Sequence, residues 1–182
     1  MNEHPAATFE RQVEETRNRL TEVEQELRRL SHELRPPMLD DLGLVPTLDY
    51  IAQCVSKRCG IQAVVRSQLP PGRLPPSFEI VLYRSVQEAL TNISKHSKAK
   101  DVTINLSQER RGQATMILCS VKDDGIGFKN GATGGLGLLG IRERIHALGG
   151  SFDIKSAPGR GTELLLCIPQ PDSWSSALSE SA

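Results

Sequence analysis

From Phe9 onward, apolar residues return at alternating intervals of four and three. Phe9, Val13, Thr16, Leu20, Val23, Leu27, Leu30 and Leu34 form a heptad stripe with Thr16 as its polar member. Charged residues such as Glu14, Arg17, Glu22, Glu26 and Arg29 fill the space between, and no Gly or Pro interrupts residues 6–35. A narrow apolar seam on a charged helix predicts pairing with other helices, because a helix lying on its own domain generally shows a wider stripe. Pro36 and Pro37 stop the helix, since neither donates a backbone hydrogen bond and the first restricts Arg35. Met38–Gly43 then reads as a compact turn, and Val45–Arg58 as a second helix closed by Gly60. Ile61–Ser67 reads as a strand. The run Leu69–Pro76 is a proline-rich loop whose last prolines begin a helix from Ser77 to about His96. Ile80, Val81, Tyr83, Val86, Ala89, Leu90 and Ile93 give that helix a broad apolar face.

Beyond this helix the pattern turns to alternation. Val102–Leu106 and Ala114–Val121 flank the polar turn Arg110–Gln113 and predict an antiparallel hairpin. Residues 124–140 carry seven glycines and read as a flexible loop. A short helix, Leu138–Leu148, is closed by Gly149 and Gly150. Two last strands, Ser151–Ser156 and Thr162–Ile168, flank the turn Ala157–Gly161. The Ser-rich stretch after Pro169 reads as disordered.

Composition narrows the function classes. In 182 residues, 22 Lys and Arg balance 22 Asp and Glu, which argues against a general nucleic-acid binder. No apolar run approaches the ~20 residues of a membrane span, and the N-terminus lacks the apolar core of a signal peptide. Nothing in the chain is therefore expected to take it into or across a membrane by itself. Cys54, Cys59, Cys119 and Cys167 show no metal-type spacing and are expected to be buried free thiols in a reducing cytosol.

The candidate chemistry begins with Glu88, Asn92, Lys95 and His96, which share one helical face. A carboxylate, a carboxamide and a cation in a row offer a water-orienting base, a metal ligand and a phosphate contact. The same residues also fit an ordinary solvated face. Asp123-Asp124-Gly125-Ile126-Gly127 follows a strong strand; its aspartate can accept a hydrogen bond from an exocyclic amine, and its glycines let the chain approach a flat ring. Gly135-Leu136-Gly137-Leu138-Leu139-Gly140 runs into a helix, whose free N–H groups make an anion site. No G-K-[ST] follows and no βαβ pattern surrounds it, so it is neither a Walker loop nor a dinucleotide fingerprint. Gly159-Arg160-Gly161-Thr162 turns tightly into the last strand.

In this order the four pieces resemble the ATP-binding domain shared by sensor histidine kinases, gyrase-type topoisomerases and heat-shock-90 chaperones, the Bergerat or GHKL-type fold. Within that set the chain is most similar to two-component sensor histidine kinases with the third type of dimerisation helix. Leu30-Ser31-His32-Glu33-Leu34-Arg35-Pro36-Pro37-Met38-Leu39-Asp40-Asp41-Leu42-Gly43-Leu44 is similar to the second dimerisation helix of that branch and its exit. Tyr83-Arg84-Ser85-Val86-Gln87-Glu88-Ala89-Leu90-Thr91-Asn92 is similar to its asparagine box, and Gly140-Ile141-Arg142-Glu143-Arg144 matches as well. The resemblance covers roughly residues 20–168.

It implies an α/β fold, an α+β two-layer sandwich with a mixed sheet and helices on one face, preceded by the long heptad helix. Residues 1–59 would be a dimerisation remnant with a linker helix, 60–169 the ATP-binding kinase domain, and 170–182 a disordered tail. It also implies roles. Asp123 binds the adenine amino group, with Gly125 and Gly127 beside the ring. Asn92 holds the Mg²⁺ that bridges the ATP phosphates, and Glu88 is the candidate base. Lys95 and His96 meet phosphate. Gly135, Gly137 and Leu138 form the lid at the phosphates, and Thr162 completes the adenine pocket. The implied activity is phosphoryl transfer from ATP to a histidine and onward to a response regulator. The chain would form a homodimer through the N-terminal helix, in a cytoplasmic or membrane-attached parent.

The acceptor divides the reading. His32-Glu33 superficially resembles an acceptor motif, whereas Asp40-Asp41-Leu42-Gly43-Leu44 favours the second-helix match. On the latter, the acceptor lies upstream and this chain does not phosphorylate itself. Two other classes use the same fold: a non-catalytic or serine-kinase nucleotide switch of the anti-sigma type, and a gyrase- or chaperone-like ATPase. The heptad helix and its exit argue against the first, and the lack of a transducer domain after Pro169 against the second.

Overall fold

The computed structural model describes residues 36–112, 114–128, 136–171 and 174. The heptad helix, His32 and Gly135 lie outside the described residues. The chain divides into two compact units, residues 1–37 and 38–182, and the sheet and the helices packed on it lie in the second.

The segment expected to be a turn is a short helix, α1 (Pro37–Leu42), which buries Leu39 completely. So few residues show no helical period in the sequence; the buried Leu39 and hydrogen bonds from Arg73, far along the chain, hold it. Helix α2 (Leu44–Cys59) follows, and buries Leu44, Leu48, Ala52 and Val55. Gly60 closes it in the left-handed conformation, donating its N–H to the Ser56 carbonyl. This helix packs on β1 (Gln62–Ser67) and on α3 (Pro76–Asn92), so it belongs to the same packed body as the sheet.

Helix α3 starts on Pro76, where a missing N–H is harmless. Its last stretch differs from expectation: residues Ile93–Ser97 form a single π-helical turn, ended by Lys98 with φ of 53°. Strands β2 (Asp101–Arg111) and β3 (Ala114–Asp123) make the hairpin. Arg110 and Arg111 extend β2 instead of forming the turn, because they pair with Thr115 and Ala114. Helix α4 (Leu136–Ala147) begins inside the glycine-rich segment, so Gly137 and Gly140 are helical rather than part of a loop. Strands β4 (Ser151–Ser156) and β5 (Thr162–Pro169) complete the fold.

The five strands run in the order β1-β2-β3-β5-β4, with β1 parallel to β2 and every other pair antiparallel. Alternation turns Val102, Ile104 and Leu106, then Ile117, Cys119 and Val121, then Leu164, Leu166 and Ile168 toward the helices. Leu82, Val86 and Leu90 of α3 and Ile141 and Ile145 of α4 complete the core. This is the expected two-layer α+β sandwich with a mixed sheet and helices on one face.

Two expectations change. Cys119 is buried and Cys167 half-buried, but Cys54 and Cys59 are exposed on α2; all four thiols are free. Cys59 is the last residue of that helix, where the packing against the sheet ends, and Cys54 lies at the edge of its buried face. The core also continues past Pro169. The Gln170 N–H bonds the Thr115 carbonyl at 2.8 Å, and Trp174 is only 2% exposed. Residues 175–182 lie outside the described residues. Among those described, no helix is long and apolar enough to cross a membrane.

Candidate functional site

Register builds the floor of the site. Asp123 is the last residue of β3; it pairs with Val102 on one side and Thr162 on the other. Its side chain follows Ile117, Cys119 and Val121 onto the helix face, where it is 4% exposed. Above it lie the end of α3 and the π turn. Together with the β3–α4 segment they enclose a cavity of about 310 Å³. Ala89, Ile93, Val121, Ile126, Phe128 and Leu164 give it apolar walls, and Asn92, His96, Ser97, Asp123 and Thr162 supply its polar groups. That balance, mostly apolar with a few placed polar groups, suits a flat organic ring.

The two consecutive aspartates have opposite environments. Burial pushes the Asp123 carboxyl above its ordinary value, partly offset by the N–H groups of Gly125 and Thr162. Gly125 donates to its Oδ1 at 2.8 Å. Asp124 turns outward and accepts from the N–H groups of Asp101 (3.0 Å) and Lys100 (2.8 Å), which hold its carboxyl below the usual range. Asp123 is therefore a buried acceptor held by main-chain donors and facing a cavity, whereas Asp124 fastens a strand end.

At the phosphate end of the expected site, Asn92 Nδ2 donates to Glu88 Oε1 at 3.2 Å. This leaves Oδ1 as the carboxamide's acceptor atom. Glu88 does not line the cavity itself; it lies behind Asn92 and against Gly137. A Cβ at Gly137 would overlap the Glu88 carboxylate, so the first turn of α4 approaches α3 this closely because residue 137 lacks a side chain.

Of the expected residues, the structure brings Asn92, His96, Asp123, Gly127, Gly137, Leu138 and Thr162 around one cavity, with Glu88 adjoining. Lys95 is exposed and does not line it. A π turn takes up more residues than an α turn, so His96 stays above Asn92 while Lys95 rotates away. Gly125 is also displaced from its expected role. A Cβ there would overlap the Ser97 carbonyl, which means its smallness serves packing against the π turn rather than a ring. Ser156 carries no motif that marks it in the sequence. Its hydroxyl meets Thr162 Oγ1 at 2.9 Å, accepts from the Phe128 N–H at 2.9 Å and fixes the cavity wall through strand register alone.

Residues 78–172 match the family described as histidine kinase-, DNA gyrase B-, and HSP90-like ATPases. The chain belongs to this family. Within it, curated relatives at more than 30% identity include sensor histidine kinases. The signal transduction histidine-protein kinase/phosphatase DegS of Brevibacillus brevis is 36% identical over 146 residues, 79% of this chain and 37% of the relative. The oxygen sensor histidine kinase NreB of Staphylococcus carnosus is 36% identical over 150 residues, 81% of this chain and 42% of the relative. The chain thus spans about two fifths or less of these relatives' length. The histidine kinase domain of the Erythrobacter litoralis blue-light activated kinase shares the fold, with a TM-score of 0.55 at 23% identity over 70% of this chain and 61% of that one. The ATPase domain's cavity fits the nucleotide the family binds. Its walls can take the purine, Asp123 can accept from the exocyclic amine of adenine, and Asn92 and Glu88 adjoin the same cavity.

Proposed function

We propose that this domain is the catalytic part of a sensor histidine kinase, transferring the γ-phosphoryl group of ATP to a histidine, from which it passes to a response regulator. The observation that carries the reading is Asp123: a buried carboxylate held by backbone donors in an apolar cavity that Asn92 also lines, with Glu88 bonded to Asn92. Asp123 selects adenine, since the guanine ring presents a carbonyl where adenine presents its amine. Thr162 and Gly127 complete the wall around the ring. Asn92 Oδ1 would hold Mg²⁺, which neutralises charge on the phosphates when bound. Among the described residues no group of three or more His, Cys, Asp or Glu side chains could hold a metal by itself. A site of this kind is completed by phosphate oxygens. Glu88 then orients or deprotonates the attacking imidazole, and His96 and the amino end of α4 contact phosphate. Transfer needs mainly positioning and charge neutralisation, which this set supplies.

The heptad stripe of residues 9–34 supports a homodimer in the parent chain, which we read as cytoplasmic or membrane-attached. His32 precedes Pro36 by only four residues, so we do not assign it as the acceptor. Acid-labile label from γ-labelled ATP that is lost in His32→Gln would reverse that assignment.

The reading is tested by calorimetry. Asp123→Asn removes a charge-assisted acceptor and should weaken ATP by ~1–3 kcal/mol, and GTP should bind the wild type poorly. Equal affinity for the two nucleotides overturns the adenine role. Asn92→Ala should remove the Mg²⁺ dependence of phosphoryl transfer while leaving the binding of adenosine largely intact. Wild-type transfer by that variant would leave Asn92 no metal role.

A further inference from the structure

Away from the nucleotide cavity, a half-exposed arginine holds a buried carboxylate and two main-chain carbonyls. Arg73, between β1 and α3, bonds Glu79 through both Nε (2.8 Å) and Nη2 (2.9 Å). Glu79 is 1% exposed in the first turn of α3. The same guanidinium reaches α1: Nη1 donates to the Asp40 carbonyl at 2.9 Å and Nη2 to the Leu39 carbonyl at 2.6 Å. A carboxylate this deep depends on its partner charge. A six-residue helix is marginal by itself; its Leu39 carbonyl accepts from the Gly43 N–H at 3.2 Å, and the guanidinium adds a second bond there. One side chain meets both needs. The approach also depends on Gly43, which has φ of +86°; a Cβ there would lie 3.0 Å from Arg73 Cδ and Nε.

We propose that Arg73 is a positioning residue that locks α1 to α3. The point where the chain enters the domain, at Pro37, and the Glu88–Asn92 pair at the far end of α3 are then set together. Helix α3 is unbroken from Glu79 to Asn92. Its rise of ~1.5 Å per residue puts Glu79 and Glu88 on one rod about 13 Å apart. The planar fork of arginine is what allows one group to serve a bidentate carboxylate and two carbonyls; the point charge of lysine cannot. A nucleotide that fixes the far end of α3 must therefore be felt at α1. The inference rests on the ATP reading of the cavity.

Hydrogen exchange on the full chain, with and without the magnesium complex of a non-hydrolysable ATP analogue, tests it. In the wild type, the nucleotide should slow exchange in α1 by at least about five-fold, the low end of measured site-to-site coupling. The double variant R73M/E79Q removes the lock without stranding a buried charge. It should bind the analogue within about two-fold of the wild type by calorimetry, yet its α1 should no longer respond. Arg73→Lys, which keeps the charge beside Glu79, should lose the response as well. A purely structural ion pair would lower the melting temperature and leave the response intact. Wild-type α1 that ignores the nucleotide, a double variant that still responds, or a double variant that loses nucleotide affinity overturns the coupling. A wild type that shows no binding heat overturns the ATP reading beneath it, and calorimetry separates that outcome from the others.

Discussion

Asp123 shows how a functional residue can oppose stability. Its folded-state pKa is raised by burial, so the proton binds more tightly in the folded chain than in the unfolded one. The sign follows by linkage: the stability this group contributes is present below the ordinary carboxylate range and is lost as pH rises through its folded value. At neutral pH the ionised carboxylate therefore costs stability, and Asp123→Asn should raise the melting temperature of the nucleotide-free domain while weakening ATP. A lower melting temperature for this variant would contradict the assignment of burial as the dominant cause. The ATP affinity of the wild type should fall as pH drops through that raised value. Asp124 carries the reverse sign, its contribution being lost at acid pH. Gly137 separates stability from activity in the same way. In a helix, Ala is favoured over Gly by about 1 kcal/mol, and the atom a Cβ would meet is the movable end of Glu88. Gly137→Ala should leave thermal stability equal or higher while slowing phosphoryl transfer, because Glu88 is pushed off Asn92. Unchanged transfer would show that the contact has no role.

At the scale of elements, the segment after β5 is the clearest departure from the local pattern. A Ser-rich stretch with one tryptophan looks solvated, yet Trp174 sits among Leu44, Val45, Leu69 and Leu74 beside a second cavity of about 220 Å³. Burying one large ring outweighs the polar neighbours. Trp174→Ala should cost ~3–5 kcal/mol in denaturant unfolding. The indole N–H has no hydrogen-bond partner among the described residues, so Trp174→Phe should cost far less. If the two variants are equally mild, this segment adds little to the core. The π turn is the other lesson at this scale. The helical period places Glu88, Asn92, Lys95 and His96 on one face, and the wider turn at Ile93–Ser97 keeps three of them near the cavity and releases Lys95. Only hydrogen bonding across the turn and its packing on Gly125 could reveal that.

For the whole molecule, thiol chemistry gives a reading of global stability. Burial pushes Cys119 up to about 12, so it stays protonated in the folded state. Cys54 and Cys59 should react with a thiol reagent at once, and Cys119 only as the sheet opens. Its labelling rate across a urea series should follow global unfolding; fast labelling in the native state would mean that the central strands open locally. The periods and punctuation of the sequence by themselves determined most of the elements, the two-layer fold and the order of the nucleotide-binding motifs, because amphipathic faces and turn residues act over a few neighbours. Tertiary structure decided the rest. Strand register set Asp123 beside Thr162 and Ser156 behind them. Burial of Leu39 and an arginine 33 and 34 residues away tie the short helix Pro37–Leu42 into the fold, and core burial recruited Trp174. Each of these is a contact between distant parts of the chain, whose energy no local pattern contains.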